Sequence, residues 1–174
     1  MGFAPARRAA RPRRTAIAQS PYEKGGLTLA RARIQLQSAW VLKTTPYSDS
    51  SLLVEAFTHT HGRIGLVARG ARSAKSRSRA LLQAFRPLLL SWTESGDLGT
   101  LTGVEAQGPA ITLPGECIFS GWYLNELLLR LLQRHDAHPQ VFETYGLTVA
   151  QLEHALQPSL RRFEQILLAE LGFG

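Results

Sequence analysis

Residues Arg63–Trp92, RIGLVARGARSAKSRSRALLQAFRPLLLSW, decide how the chain is read. Two apolar runs bracket a charged connector: Ile64-Gly65-Leu66-Val67-Ala68 ahead of it and Leu88-Leu89-Leu90-Ser91-Trp92 behind it. Short apolar runs of this kind, bounded by turn residues, signal strands. Between them stand Arg69, Arg72, Lys75, Arg77, Arg79 and Arg86, and no carboxylate occurs from Arg69 through Pro87. Cations of one sign on a Ser- and Ala-rich connector, anchored by sheet at both ends, suit a polyanion. The polyanion they point to is a nucleic-acid backbone.

The residues on either side extend the β pattern. Upstream, Trp40–Thr45 reads as a strand ended by Pro46, and Leu52–Thr58 as a second strand after Asp49-Ser50-Ser51. The turn His59-Thr60-His61-Gly62 joins the second strand to Arg63–Arg69 as a hairpin, with Gly62 supplying positive φ. Downstream, Pro87–Thr93 and Leu98–Ala106 make a second hairpin around Glu94-Ser95-Gly96-Asp97. Five strands within residues 38–107, with a long connector between the third and fourth, match a small closed barrel of the OB-fold type. A short helical turn is expected in the connector near Ala80–Phe85.

After Gly108-Pro109 the periodicity becomes helical. Cys117–Arg134 is apolar on most faces, with Glu126 and Arg130 spaced i,i+4 in the favourable order. Pro139 suits the first position of a helix over His138–Tyr145. Thr148 and Gln151 form a capping-box pattern for Val149–Leu156, and Gly146 either divides this region or merely weakens one helix. Ser159 is the expected cap of Leu160–Leu171, which Gly172 ends. The fold class is therefore α+β: an N-terminal five-stranded OB-fold β-barrel over residues 38–107, followed by an α-helical domain over 108–174.

The formal net charge of +7 over 174 residues is unevenly distributed. Residues 1–37 carry eight Lys/Arg against Glu23, are rich in Arg, Ala, Pro and Gly, and read as a basic, disordered extension. A solvated tail, a translation start placed too far upstream, a DNA-touching arm and a transit peptide all fit that composition. Residues 38–107 net +3 and residues 108–174 net −3, so the middle segment is the polyanion reader. Cys117 is the only cysteine, which excludes a disulfide framework and a CxxC zinc site within this chain. No apolar run reaches the length of a membrane span, and the N-terminus lacks the apolar core of a secretory signal.

The connector cations carry the strongest chemical signal, because each cation that neutralises a phosphate adds affinity through counterion release. Lys43 and Arg63 extend the candidate DNA-binding set to Lys43, Arg63, Arg69, Arg72, Lys75, Arg77, Arg79 and Arg86. Among the aromatics, alternation assigns Phe57 and Trp92 to the core and leaves Tyr47, beside Pro46, as the best exposed stacking candidate. Ala74-Lys75-Ser76 echoes the end of a phosphate-binding loop, but the glycines that motif needs are replaced by Arg69 and Ala74. His59/His61 and His135/Asp136/His138 lie in ordinary turn and capping sequence, so no metal is expected. No nucleophile–base constellation is visible; catalytic residues and cofactors are both expected to be none.

An ordered set of these residues resembles the bacterial recombination mediator family RecO. The set runs Ala39-Trp40-Val41-Leu42, Tyr47-Ser48-Asp49-Ser50-Ser51-Leu52-Leu53 and His61-Gly62-Arg63 through Arg72, then Leu81–Leu88, Gly96–Thr102, Tyr123–Leu128 and Arg161–Glu164. The resemblance implies an OB-fold packed on a helical domain and a non-enzymatic role in RecF-pathway repair. It also implies binding of single- and double-stranded DNA, annealing of complementary strands, and docking to RecR and to the C-terminal tail of SSB in support of RecA filament assembly. The implied location is cytoplasmic and nucleoid-associated, with no membrane partner. Family members normally continue past Gly174 for several helices, where many carry a four-cysteine zinc module. By that standard the helical domain is incomplete, and no zinc ligand set carries over to this chain.

Overall fold

The computed structural model describes residues 31–173. The basic extension expected over residues 1–37 lies, through residue 30, outside the described residues. The described chain runs β1 (Arg33–Tyr47), β2 (Ser51–Thr58), β3 (Gly62–Ala68), α1 (Arg77–Leu81), β4 (Leu88–Thr93), β5 (Leu98–Ala106), α2 (Cys117–Leu131), α3 (Pro139–Gln151) and α4 (Leu156–Glu170). The strands close into a barrel in the order β1-β2-β3-β5-β4, with β3 and β5 parallel and the remaining pairs antiparallel. A closed five-stranded barrel followed by helices is the expected OB-type architecture.

β1 is longer than its sequence signal. It starts at Arg33, well before Trp40, and runs through Pro46 to Tyr47. Closure requires this length, since its first half pairs with β4 (Arg33 opposite Thr93) and its second half with β2 (Tyr47 opposite Ser51). Among the described residues no strand pairs with the β4-side edge beyond Ala39, an edge setting of the kind in which proline is tolerated. Between Val41 and Lys43 the register shifts by a bulge. Trp40 lies opposite Phe57 and Lys43 opposite Glu55, so Leu42 and Lys43 both turn outward.

Alternation then separates two cores. Val41, Val54, Ala56, Ile64, Leu66, Leu88, Leu90 and Trp92 fill the barrel. Trp40, Leu42 and Phe57 leave its outer face and join Leu124, Leu128, Phe142, Tyr145 and Phe163 of the helices. Trp40 meets Tyr145 edge-on with ring centroids 5.4 Å apart, and Phe57 meets Phe142 in the same way at 5.4 Å.

Tertiary packing also revises the helical readings. α3 runs unbroken through Gly146, where a Cβ would come within 3.1 Å of the Trp40 ring. Thr148 is therefore mid-helix, and its hydroxyl donates to Thr144 O at 2.7 Å instead of opening a capping box. α4 begins at Leu156, which places Pro158 in the first turn, where an amide donor is dispensable. Ser159 is buried inside that helix, not at its cap. α1 starts at Arg77 because Ser76 Oγ accepts from Arg79 N, slightly upstream of the helical turn expected near Ala80–Phe85. Gly172, at φ +84°, ends α4 as expected.

Polar bonds tie the helices to the barrel. Glu55 on β2 takes Arg63 Nη1 at 3.1 Å with one oxygen and Arg134 with the other. Arg63 Nε also donates to Leu132 O at 3.1 Å, and His135 N donates to Arg63 O at 2.9 Å. Gly62, at φ +65°, passes beneath Asp136, where a Cβ would sit 2.0 Å from the carbonyl oxygen. Deeper in, Asn125 Nδ2 donates to Leu42 O at 3.1 Å and Tyr145 Oη donates to Asn125 Oδ1 at 2.5 Å. Burial pushes the Tyr145 phenol well above its ordinary value.

Tyr145→Phe should cost about 1–3 kcal/mol in urea unfolding, since it strands the Asn125 carbonyl. The raised phenol adds an alkaline signature. Its contribution is complete below the ordinary tyrosine value of 10.0 and is lost as pH rises above it, because the unfolded chain ionises first. The variant should lack that part of the alkaline decline, and an unchanged profile would remove Tyr145 from the account.

Candidate nucleic-acid interface

The strand registers define which outward residues remain open once the helices have docked. Opposite residues share a face, so Thr45, Leu53, Val67 and Thr100 form one continuous row across β1, β2, β3 and β5. Tyr47 and Ser51 form the next row toward the turns, with Arg69 just past the end of β3. Lys43 flanks the platform on the other side. Tyr47, Ser48, Ser51, Arg69, Ser95 and Thr100 surround a cleft of about 420 Å³ at this end of the barrel. The surface combines an exposed phenol ring, several hydroxyls and one guanidinium, with Leu53 and Val67 as a half-buried apolar floor.

The lower part of the same β1–β3 face is closed. Trp40, Phe57, Glu55, Arg63 and Gly65 lie under the helices or the Arg134 guanidinium, which a Cβ at Gly65 would meet at 3.1 Å. An OB-type barrel offers its strand 2–3 face and adjoining loops to oligonucleotides. Among the described residues, nothing covers the turn-proximal half of that face.

The connector runs beside this platform. Arg72 Nη1 donates to Ser48 O (2.9 Å) and Asp49 O (3.3 Å), and Arg72 N donates to Ser50 O (3.0 Å), stitching the connector to the β1–β2 turn. Arg79 Nη1 donates to Arg72 O at 3.3 Å. The chain then returns along the free edge of β1, where Ala84 bridges to Val41. Arg69, Arg72, Lys75, Arg77 and Arg79 are exposed on this path, and Lys43 is exposed on the strand alongside it. Among the described residues none of these six takes part in an ion pair. Glu55 lies opposite Lys43 but is occupied by Arg63 and Arg134.

Two of the expected DNA-binding residues do not join the track. Arg63 is half-buried and committed to Glu55 and Leu132 O, so its charge holds the helices and is not free for a phosphate. Arg86 is half-buried beyond α1, with its Nε enclosed and lacking a hydrogen-bond partner among the described residues. Trp40, Phe57 and Trp92 are core, and Tyr47 is exposed. Sequence reading missed Thr45, Leu53, Val67 and the Ser/Thr rim, whose grouping depends on register across four strands. Trp122 stands in an apolar helical run that needs partners on more than one side, and it is exposed here.

Comparison with known proteins gives one family. The model for the N-terminal part of recombination protein O matches residues 33–109, and the model for its C-terminal part matches residues 117–174. The chain is 51% identical to the DNA repair protein RecO of Nitrosococcus oceani over 144 residues, covering 82% of this chain and 58% of that protein. It is 47% identical to RecO of Aromatoleum aromaticum over 145 residues, covering 83% and 61%, and 47% identical to RecO of an Azoarcus species over 146 residues, covering 83% and 60%. The chain thus spans roughly three fifths of the length of these curated relatives.

The division of the cations is open to a stability test. Arg63→Ala leaves Glu55 short of one partner and should cost about 3 kcal/mol in chemical denaturation. Lys75→Ala should stay within about 0.5 kcal/mol. Equal effects would refute the separation of structural from free charge.

Proposed function

The chain belongs to the RecO family of recombination proteins, and from that membership we propose that it acts in DNA repair as a non-enzymatic recombination mediator. In this reading it binds single- and double-stranded DNA and anneals complementary strands. It works with RecR, with the C-terminal tail of SSB and in the assembly of RecA filaments. The observation that carries the DNA-binding part is a set of six exposed cations, Lys43, Arg69, Arg72, Lys75, Arg77 and Arg79, that have no carboxylate partner among the described residues and lie beside the open half of the barrel face. Phosphates neutralised there release counterions, while Tyr47 and the apolar floor offer π-faces and methyl groups to unpaired bases. A surface that screens two strands lowers their mutual repulsion, so annealing needs positioning and charge but no bond-breaking group.

A second reading, a protein-interaction adaptor with little DNA affinity, draws on a different surface. Between α2 and α4 lies a largely apolar groove of about 210 Å³, lined by Tyr123, Leu127, Leu131, Leu167 and Leu168 with the Arg161–Glu164 ion pair at its rim. An apolar groove with a polar rim suits a protein segment, and partner docking is compatible with the mediator role.

Fluorescence anisotropy of a labelled single strand across a salt series separates the readings. The mediator requires a steep negative slope of log K against log salt; absence of binding at low salt favours the adaptor. Replacing Arg72, Lys75, Arg77 and Arg79 by Ala should flatten the slope by about 0.7 per lost contact. An unchanged slope in that variant would exclude the connector from DNA binding.

A further inference from the structure

A cleft of about 440 Å³ opens where the connector rejoins β1, lined by Leu42, Lys43, Thr44, Gln83, Phe85 and Trp122 among others. Three features distinguish it from a packing defect. Its aromatic wall is Trp122, which is 48% exposed although it meets Phe85 edge-on at 5.1 Å. Its lining includes the exposed residues Lys43, Thr44 and Gln83, which bring an ammonium, a hydroxyl and an amide to the neighbourhood of the ring. Its geometry is held from behind: Phe85 keeps a positive φ of 63° while Phe85 O accepts from Ile111 N at 2.7 Å. At Gly121, a Cβ would come within 2.8 Å of the Phe85 ring.

We infer that this cleft is a nucleobase site, in which one unpaired base of a bound single strand lies against Trp122 while its phosphate rests on Lys43. The inference rests on the DNA-binding reading above and adds a site to it. Position supports it, because a strand following Arg72, Lys75, Arg77 and Arg79 along the β1 edge arrives at Lys43, which belongs both to the cation track and to the cleft. Chemistry supports it as well. The cleft offers a π-face, an amide that both donates and accepts, a hydroxyl and a cation, which together match a base and its phosphate. Paired bases stay within the duplex stack, so the cleft selects single strands.

Trp122 provides its own readout. The other tryptophans, Trp40 and Trp92, are only 7% and 2% exposed, so a ligand that reaches tryptophan from solvent reports on Trp122. Oligothymidylate and an abasic strand of equal length carry the same backbone charge and differ only in bases. Both should bind by anisotropy at low salt, but only oligothymidylate should quench tryptophan emission. Trp122→Ala should weaken oligothymidylate binding about tenfold and leave duplex and abasic binding unchanged. Trp122→Phe should recover most of the loss. Binding without quenching, or equal quenching by the abasic strand, would overturn the nucleobase site while leaving DNA binding intact. Failure of either strand to bind would remove the parent reading and this one together. Quenching by a phenylalanine-bearing acidic peptide, but not by oligothymidylate, would assign the cleft to a protein partner and likewise overturn it.

Discussion

The Glu55 carboxylate, held between Arg63 of the barrel and Arg134 of the segment after α2, is the contact on which the arrangement depends. A half-buried carboxylate with one cation would leave the second arginine uncompensated at a closely packed seam, and both losses are costly. With both in place, the backbone after α2 closes onto β3 through the His135 N to Arg63 O bond. Gly62 and Gly65 are then needed as glycines, because Asp136 and Arg134 occupy the space their side chains would fill. The helices thereby cover the lower half of the β1–β3 face and seat Tyr145 against Trp40.

Covering that half has an electrostatic consequence. Glu55 lies opposite Lys43 in the register, so an unoccupied carboxylate there would neutralise the first of the exposed cations. With Glu55 engaged by two arginines, Lys43 is left for an external anion. The same seam thus stabilises the docked helices and keeps the adjacent surface positive. The bulge at Leu42 performs a related division on β1, sending Leu42 into the helical core and Lys43 to solvent from neighbouring positions.

Local signals resolved the hairpins well, because Gly62 and Glu94-Ser95-Gly96-Asp97 carry turn chemistry that depends on a few neighbouring residues. They were weaker wherever a distant residue decided the outcome. Gly146 reads as a helix breaker until Trp40 is seen filling the space over it. Ser159 reads as a cap, yet the helix starts earlier, at Leu156. Pro46 reads as the end of a strand, but β1 continues to Tyr47, paired with β2 on one side and, among the described residues, with no strand on the other.

The amino-acid sequence by itself determined the class of fold, through period-two apolar runs followed by helical ones, and it determined the excess of cations between β3 and β4. Both properties are carried by residues close together in the chain. Only the tertiary structure decided which cations are available. Arg63 and Lys43 look equivalent as isolated basic residues on the two strands that flank β2, but one meets a carboxylate and the carbonyl of Leu132 while the other meets solvent. Folding also left Trp122 at an open cleft while Trp40 and Trp92 were enclosed. Pairing of charge and enclosure of aromatic rings depend on contacts between residues far apart in sequence, and those contacts exist only once the barrel has closed and the helices have docked.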